Sequence, residues 1–328
     1  MDEIELVGDH YELGRQYGQI LDDVGFAPEP LSTEKREFVR DCEPAVEEHT
    51  PYLREELRGL ADAGDWDLER IEAMPLALGY EAGCSVIAVS GEHTVDGNPR
   101  FGRNYDFFES FGDFSELYRT RPPDHLASVG CSDHWVGRHD GINEAGVAIG
   151  HTFVPNDGSE PGIMFGLAAR AVLDTCRTVD DAVSFLERIP HARNTNFLVA
   201  DAAGDIASIE ASPEAVATTR PTNGFGAVTN HFQSESMLEY ERREERTESS
   251  ETRLENLDGW FDTQRDGFDT ADVQRVLTDP ENGVCSCADG NEDDPILTLW
   301  SWAVTPGGTP SMLAKGSPTD VGYESVDL

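Results

Sequence analysis

The chain has 328 residues, of which 38% are hydrophobic, enough to bury a full core as one large domain without disulfide or metal staples. Its 64 Asp and Glu stand against 24 Lys and Arg, a net charge of −40. That balance excludes a nucleic-acid binder that works by neutralising phosphate and disfavours docking to anionic lipid.

Only Lys35 and Lys315 are lysines. Excess carboxylate with almost no lysine is the balance expected in a salt-loaded cytoplasm. At about 1 M salt the Debye length is roughly 3 Å, so self-repulsion is screened. The start, Met1-Asp2-Glu3-Ile4-Glu5, has no apolar signal core, and no apolar run approaches the roughly 18 residues of a membrane span. A soluble cytoplasmic protein is expected. The six cysteines, Cys42, Cys84, Cys131, Cys176, Cys285 and Cys287, are too sparse for a disulfide framework.

Residues 1–83 read as mostly helical, from apolar stripes at Tyr11, Leu13, Tyr17, Ile20 and Leu21, at Leu53, Leu57, Leu60 and Ala61, and at Leu68, Ile71 and Met74. At Gly83 the texture changes. Ser85–Val89 and Phe101–Phe107 read as strands around a turn-rich stretch. Asp140–Gly150 reads as two strands joined at Asn143–Gly146, and Phe197–Ala200 with Ile206–Ile209 as another hairpin. A helix is expected over Phe165–Cys176. A second is expected over Ala182–Ile189, with Thr178 and Asp181 forming a capping box. Residues 235–262 form a charged segment with scattered packing positions, and Ile296–Val304 is a late strand. Runs of helices alternating with runs of strands predict a layered α+β fold.

The richest chemistry lies at Gly83-Cys84-Ser85 and Gly102-Arg103-Asn104-Tyr105-Asp106-Phe107-Phe108. If the two strands pair as a hairpin, Arg103 and Asp106 return beside Cys84, and a neighbouring guanidinium is expected to favour the thiolate.

These two runs together resemble the acyl-coenzyme A:6-aminopenicillanic-acid acyltransferase-like family of the N-terminal-nucleophile hydrolase superfamily. The Gly-Arg-Asn-x-Asp run is shared with the choloylglycine hydrolases. Further matches follow in order: Tyr11-Glu12-Leu13-Gly14 with Tyr17-Gly18, Asn143-Glu144-Ala145-Gly146, Asn196–Asp201 with Gly204 and Glu210, Thr229-Asn230-His231-Phe232, Ser250-Glu251-Thr252-Arg253 and Val284-Cys285-Ser286-Cys287. The resemblance covers almost the whole chain. It implies a four-layer αββα sandwich, with a helical leader (1–83) and a catalytic core (84–328). It implies self-cleavage between Gly83 and Cys84, and a Cys84 acyl-enzyme that hydrolyses or transfers linear N-acyl amides. It also implies that Asp106 holds the freed α-amine, Arg103 supports the thiolate or substrate, Asn230 donates to the oxyanion and Arg253 fixes the network.

The oxyanion Asn that choloylglycine hydrolases place after the Asn-Glu-x-Gly hairpin falls near Thr152 here, so Thr152 and His231 are further candidates for oxyanion or substrate contact. No cofactor and no metal are implied. The expected partner is a small-molecule N-acyl substrate, with acyl-coenzyme A as a co-substrate if the reaction is transfer. Self-association into a homo-oligomer is compatible with the sequence. The alternatives are a thiol–His hydrolase using His151 or His231, a zinc site from Cys285 and Cys287, and a binding or scaffold protein on the same fold that is not processed. No papain signature surrounds any Cys, and Cys-x-Cys is tighter than the usual zinc knuckle.

Overall fold

The computed structural model describes residues 1–77, 83–133, 136–243, 245–287, 294–309 and 311–327. In chain order it runs β1 (Asp2–Val7), α1 (His10–Asp23), α2 (Thr33–His49), α3 (Pro51–Ala63), α4 (Leu68–Ala77), β2 (Gly83–Val89), β3 (Arg100–Phe108), β4 (Glu116–Arg121) and β5 (Ser128–Ser132). It continues through β6 (Asp140–Asn143), β7 (Ala148–Phe153), α5 (Phe165–Thr175), α6 (Val179–Leu186), β8 (Thr195–Ala200), β9 (Ile206–Ala211), β10 (Val216–Thr219) and β11 (Phe225–Val228). The last elements are α7 (Glu245–Gln264), α8 (Thr270–Thr278), β12 (Ile296–Val304), β13 (Ser311–Ala314), α9 (Pro318–Val321) and β14 (Glu324–Val326).

Two sheets are stacked. One has eight strands in the order β1-β4-β5-β6-β7-β8-β9-β10, the other six in the order β11-β2-β3-β12-β13-β14. Helices α5 and α6 cover the outer face of the larger sheet, and α7 and α8 that of the smaller. The layering is therefore αββα. Strand β2 shows how its sequence builds this. Its alternate side chains Val86 and Ala88 join the core between the sheets, while Ile87 and Val89 join the core under α7 and α8. A strand buried on both faces reads as one continuous apolar run rather than an alternation.

Most local signals hold. The Thr178–Asp181 capping box is formed and opens α6. The β6–β7 turn closes with Gly146 at φ 84°, in the left-handed region that glycine enters without a Cβ penalty, while the Asn143 side chain accepts from the N–H groups of Ala145 and Val147. The first 83 residues are not wholly helical, however. Asp2–Val7 is a strand paired in parallel with β4. Its burial alternates from Ile4 to Val7, with Ile4 and Leu6 turned inward. Four helices follow, and α1 lies along α3 so closely that a Cβ at Gly14 or Gly59 would strike the facing backbone at 1.8 or 2.0 Å. Positions 78–82, the end of the expected leader, lie outside the described residues.

Candidate active site

The β2–β3 pairing sets the site. Gly83 lies opposite Asp106, Cys84 opposite Tyr105 and Val86 opposite Arg103. Directly opposed residues share a face of an antiparallel pair. Cys84, Val86, Arg103 and Tyr105 therefore point between the sheets, while Gly83, Ser85, Asn104 and Asp106 point toward α7 and α8.

Between the sheets, Arg103 Nη2 lies 3.5 Å from Cys84 Sγ, and Nη1 donates to Asp140 Oδ2 at 2.7 Å. Asp140, which opens β6, also accepts from Trp300 Nε1 at 2.7 Å and from the Cys131 N–H at 3.2 Å. Trp300 stacks on Tyr105 with ring centroids 3.9 Å apart. Gly150 leaves room for this guanidinium: a Cβ there would lie 3.3 Å from Arg103 Cδ and 3.2 Å from Val86 Cγ1. The expected thiolate is not favoured in this uncut chain. Burial raises the Cys84 thiol above its ordinary value, and the Arg103 guanidinium only partly offsets that, with the charge of Asp106 adding to the rise.

On the other face, Asp106 Oδ1 accepts from the Thr298 hydroxyl at 2.6 Å. Burial pushes its carboxyl up to about 6, against the opposing pull of Arg253, Thr298 and Arg103. Arg253, from α7, donates through Nη1 to Cys84 O at 2.5 Å and Ser85 Oγ at 2.9 Å, and through Nη2 to Asn230 Oδ1 at 2.9 Å. Asn230 Oδ1 also accepts the Cys84 N–H at 2.8 Å, while Nδ2 donates to Phe153 O at 2.9 Å. Asn230 is fixed in turn by Ser250, whose hydroxyl accepts its N–H at 2.6 Å. Gly83, Asp106, Asn230, Arg253, Ser286 and Ile296 line a cavity of about 210 Å³.

The five principal candidates, Cys84, Arg103, Asp106, Asn230 and Arg253, thus surround one stretch of backbone. Thr152 stands differently. Its hydroxyl donates to Thr229 O at 2.5 Å and accepts from Asn196 Nδ2 at 3.3 Å, so its proton is committed to holding the loop that carries Asn230. His231 Nδ1 meets Ser250 Oγ at 2.8 Å, and His151 Nε2 meets His139 Nδ1 at 3.0 Å. The thiol's own partner is Arg103. Cys285 and Cys287 lie with sulfurs 3.9 Å apart, and among the described residues no group of three His, Cys, Asp or Glu side chains could hold a metal.

Sequence reasoning missed Asp140, Thr298 and Trp300. Asp140 is the anionic partner that a fully buried Arg103 requires, and its only local signal is its place at the head of the Asp140–Gly150 hairpin.

The model of the acyl-coenzyme A:6-aminopenicillanic acid acyl-transferase family matches residues 94–319, more than two thirds of the chain. The chain belongs to this acyl-transferase family. Cys84 and Gly83 lie just ahead of the matched span, which holds the other four principal candidates. Comparison with curated proteins finds no match.

Among solved structures, an arginine-to-leucine variant of the conjugated bile acid hydrolase of Clostridium perfringens is similar. It has a TM-score of 0.56 and 14% identity over 74% of this chain and 92% of that one. A cysteine-to-alanine mutant of the same hydrolase gives 0.52 and 13%, over 73% and 92%. This acyl-transferase family member therefore has the N-terminal-nucleophile hydrolase fold.

Proposed function

We propose that the protein cuts its own Gly83–Cys84 bond and then works as a cysteine amidohydrolase on linear N-acyl amides. One observation carries this reading. Both flanks of the Cys84 backbone are gripped, the N–H by Asn230 and the carbonyl by Arg253, with a cationic group at the sulfur and a carboxylate opposite Gly83.

In self-cleavage the thiol attacks the Gly83 carbonyl carbon. The C–S bond forms, the C–N bond breaks, and the thiol proton leaves on the new α-amine; water then opens the thioester. Gly83 suits the step because a Cβ there would lie 3.3 Å from the Asp106 carboxylate. The freed α-amine has a reference pKa of about 7.7–8.0 and serves as general base at neutral pH. It takes the Cys84 proton as sulfur attacks the substrate carbonyl, then returns it to the departing amine. Asn230 Nδ2 donates to the oxyanion, water resolves the acyl-enzyme, and the ionised Asp106 orients the ammonium. After the cut, residues 1–83 stay as a small subunit beside the 84–328 core.

The family's name is that of a transferase, whereas the neighbours of like fold are named hydrolases. The net charge of −40 favours hydrolysis, because an acyl-coenzyme A carries phosphates that such a surface repels. The same charge supports a working environment of high salt in a cytoplasm.

The test is intact mass with N-terminal sequencing of protein purified in molar salt, beside Cys84→Ala. Two fragments, one ending at Gly83 and one beginning at Cys84, absent from the variant, are expected. A wild-type chain that stays whole after long incubation overturns the reading.

A further inference from the structure

The run Val284–Cys287 places two thiols on alternate residues. Cys285 is 3% exposed, whereas Cys287 is exposed to solvent. Their sulfurs already face each other at 3.9 Å. A disulfide needs about 2.05 Å between sulfurs, so closure asks for an approach of about 2 Å.

The residue between them is tied to the candidate site. The Ser286 N–H donates to Thr298 Oγ1 at 2.9 Å, and its carbonyl accepts the Thr298 N–H at 3.0 Å. Its hydroxyl donates to Ile296 O at 2.8 Å. Thr298 spends its own hydroxyl proton on Asp106 Oδ1 at 2.6 Å. Ser286 also lines the cavity that holds Gly83 and Asp106. The ring of a disulfide between residues 285 and 287 would contain both peptide groups flanking Ser286. Those are the groups that hold Thr298, so closing the ring must reorient them.

We propose that Cys285 and Cys287 are a reversible oxidation site, closed to a disulfide by a peroxide and reopened by a thiol reductant, and that closure shifts Asp106 through Ser286 and Thr298. The exposed Cys287 sulfur attacks the peroxide O–O bond and becomes a sulfenic acid, and the first water leaves with the thiol proton. Cys285 Sγ then attacks that sulfur. The S–S bond forms, the S–O bond breaks, and a second water leaves with the Cys285 proton. Two thiols lose two electrons and one peroxide becomes two waters. Burial pushes the Cys285 thiol up to about 12, so the exposed Cys287 is the sulfur that meets the peroxide first.

The site is mapped in Cys84→Ala, so its result does not depend on self-cleavage or turnover. Hydrogen peroxide is added, free thiols are alkylated, and the peptide spanning Val284–Cys287 is weighed. The expected result is joint loss of both alkylation sites, restored by dithiothreitol. If both cysteines still alkylate, or Cys287 goes on to sulfinic acid with Cys285 free, the site is overturned.

Coupling is read as turnover of an N-acyl substrate at pH 6, in wild type against Cys287→Ser. This arm rests on the amidohydrolase reading. The expectation is a dithiothreitol-reversible fall of about fivefold in wild type, the loss of ionised Asp106 at pH 6 when its value of about 6 rises by one unit, beyond whatever Cys287→Ser loses through Cys84. Equal losses in the two proteins overturn the coupling while leaving the thiol mapping to stand by itself.

Discussion

Arg253 and Asn230 meet at the backbone of Cys84, with Arg253 Nη2 donating to Asn230 Oδ1 at 2.9 Å. The same guanidinium holds the Cys84 carbonyl and the same amide oxygen holds the Cys84 N–H. One residue from α7 and one from the segment after β11 thus fix the two peptide groups that flank the Cα of Cys84. A planar fork can serve three acceptors at once, which a lysine ammonium at the same place cannot do in that geometry.

Arg253→Ala should therefore slow both Gly83–Cys84 cleavage and turnover by about 10²–10³, the usual effect of losing one aligned donor. Arg253→Lys should recover only part of it. A mass-resolved time course of cleavage, with kcat and KM measured on the processed protein, checks this. Wild-type rates in Arg253→Ala would remove Arg253 from the site.

Asp106 links pH to both activity and stability. Its carboxyl sits at about 6 in the folded chain because it is buried, against about 3.9 for the unfolded chain. Between those values the native state binds the proton and the unfolded state does not, so stability falls as pH rises through the window. Asp106→Asn should consequently be the more stable protein at pH 8, by up to about 3 kcal/mol, with the gap closing below about pH 4. It should also be inactive. Wild-type self-cleavage, which starts from the uncut chain, should slow as the pH drops through about 6, and turnover should already fall below the α-amine's reference value of about 7.7–8.0. Thr298→Val removes the hydrogen bond that opposes burial and should move the acid limb of self-cleavage up by about one unit. Urea melts and pH–rate profiles of the three proteins check both signs.

The helical segment ahead of the site is held by buried charge. Glu56 on α3 takes Arg170 Nη1 and Nη2 at 3.2 and 3.1 Å and His10 Nδ1 at 2.7 Å, and Arg170 also grips Asp174 at 2.9 Å. Burial would raise the Glu56 carboxyl, but Arg170 and His10 outweigh it and hold it below its ordinary value. Its stabilisation is therefore complete above the unfolded pKa of about 4.3 and is lost as pH falls through the lower folded value. Glu56→Gln should cost about 3–5 kcal/mol at pH 7, since it leaves Arg170 short of buried negative charge. The deficit should narrow in acid. A urea midpoint equal to wild type at pH 7 would show that the pair does not anchor α3.

How much of this was legible in the sequence depends on distance along the chain. Gly83, Cys84, Arg103 and Asp106 could be brought together because β2 and β3 are successive strands and the hairpin returns them by register alone. Ile296–Val304 was legible as a strand, but not its place beside β3, because a crossover of nearly two hundred residues leaves no local periodicity. Thr298 and Trp300 were missed for that reason. Asp140 was missed because it belongs to the other sheet and meets Arg103 only through the stacking of the layers. Strand β1 was hidden differently. Its inward positions are only Ile4 and Leu6, set among Asp2, Glu3 and Glu5, so its acidity outweighed its alternation.

The charge itself makes the last prediction. Carboxylates crowd each other across the surface, and the few cations are shared. Arg54 alone meets Glu43 at 3.3 Å, Glu72 at 2.8 Å and Glu47. On α7, burial first and then the charge of Asp262 one turn on push the Asp258 carboxyl up. At about 0.1 M salt the Debye length is roughly 10 Å and such repulsions act between neighbours; at about 1 M it is roughly 3 Å and they do not. The urea midpoint should therefore rise steeply with potassium chloride up to about 1 M and flatten beyond it. Sucrose at matched osmolality should not reproduce the steep phase, because it leaves the charges unscreened. Surface ion pairs such as Lys315 with Glu3 weaken over the same range, but exposed pairs contribute only about 0–1 kcal/mol each. A midpoint that is flat or falling between about 0.1 and 1 M chloride would mean that attraction within these pairs outweighs the repulsion implied by a charge of −40.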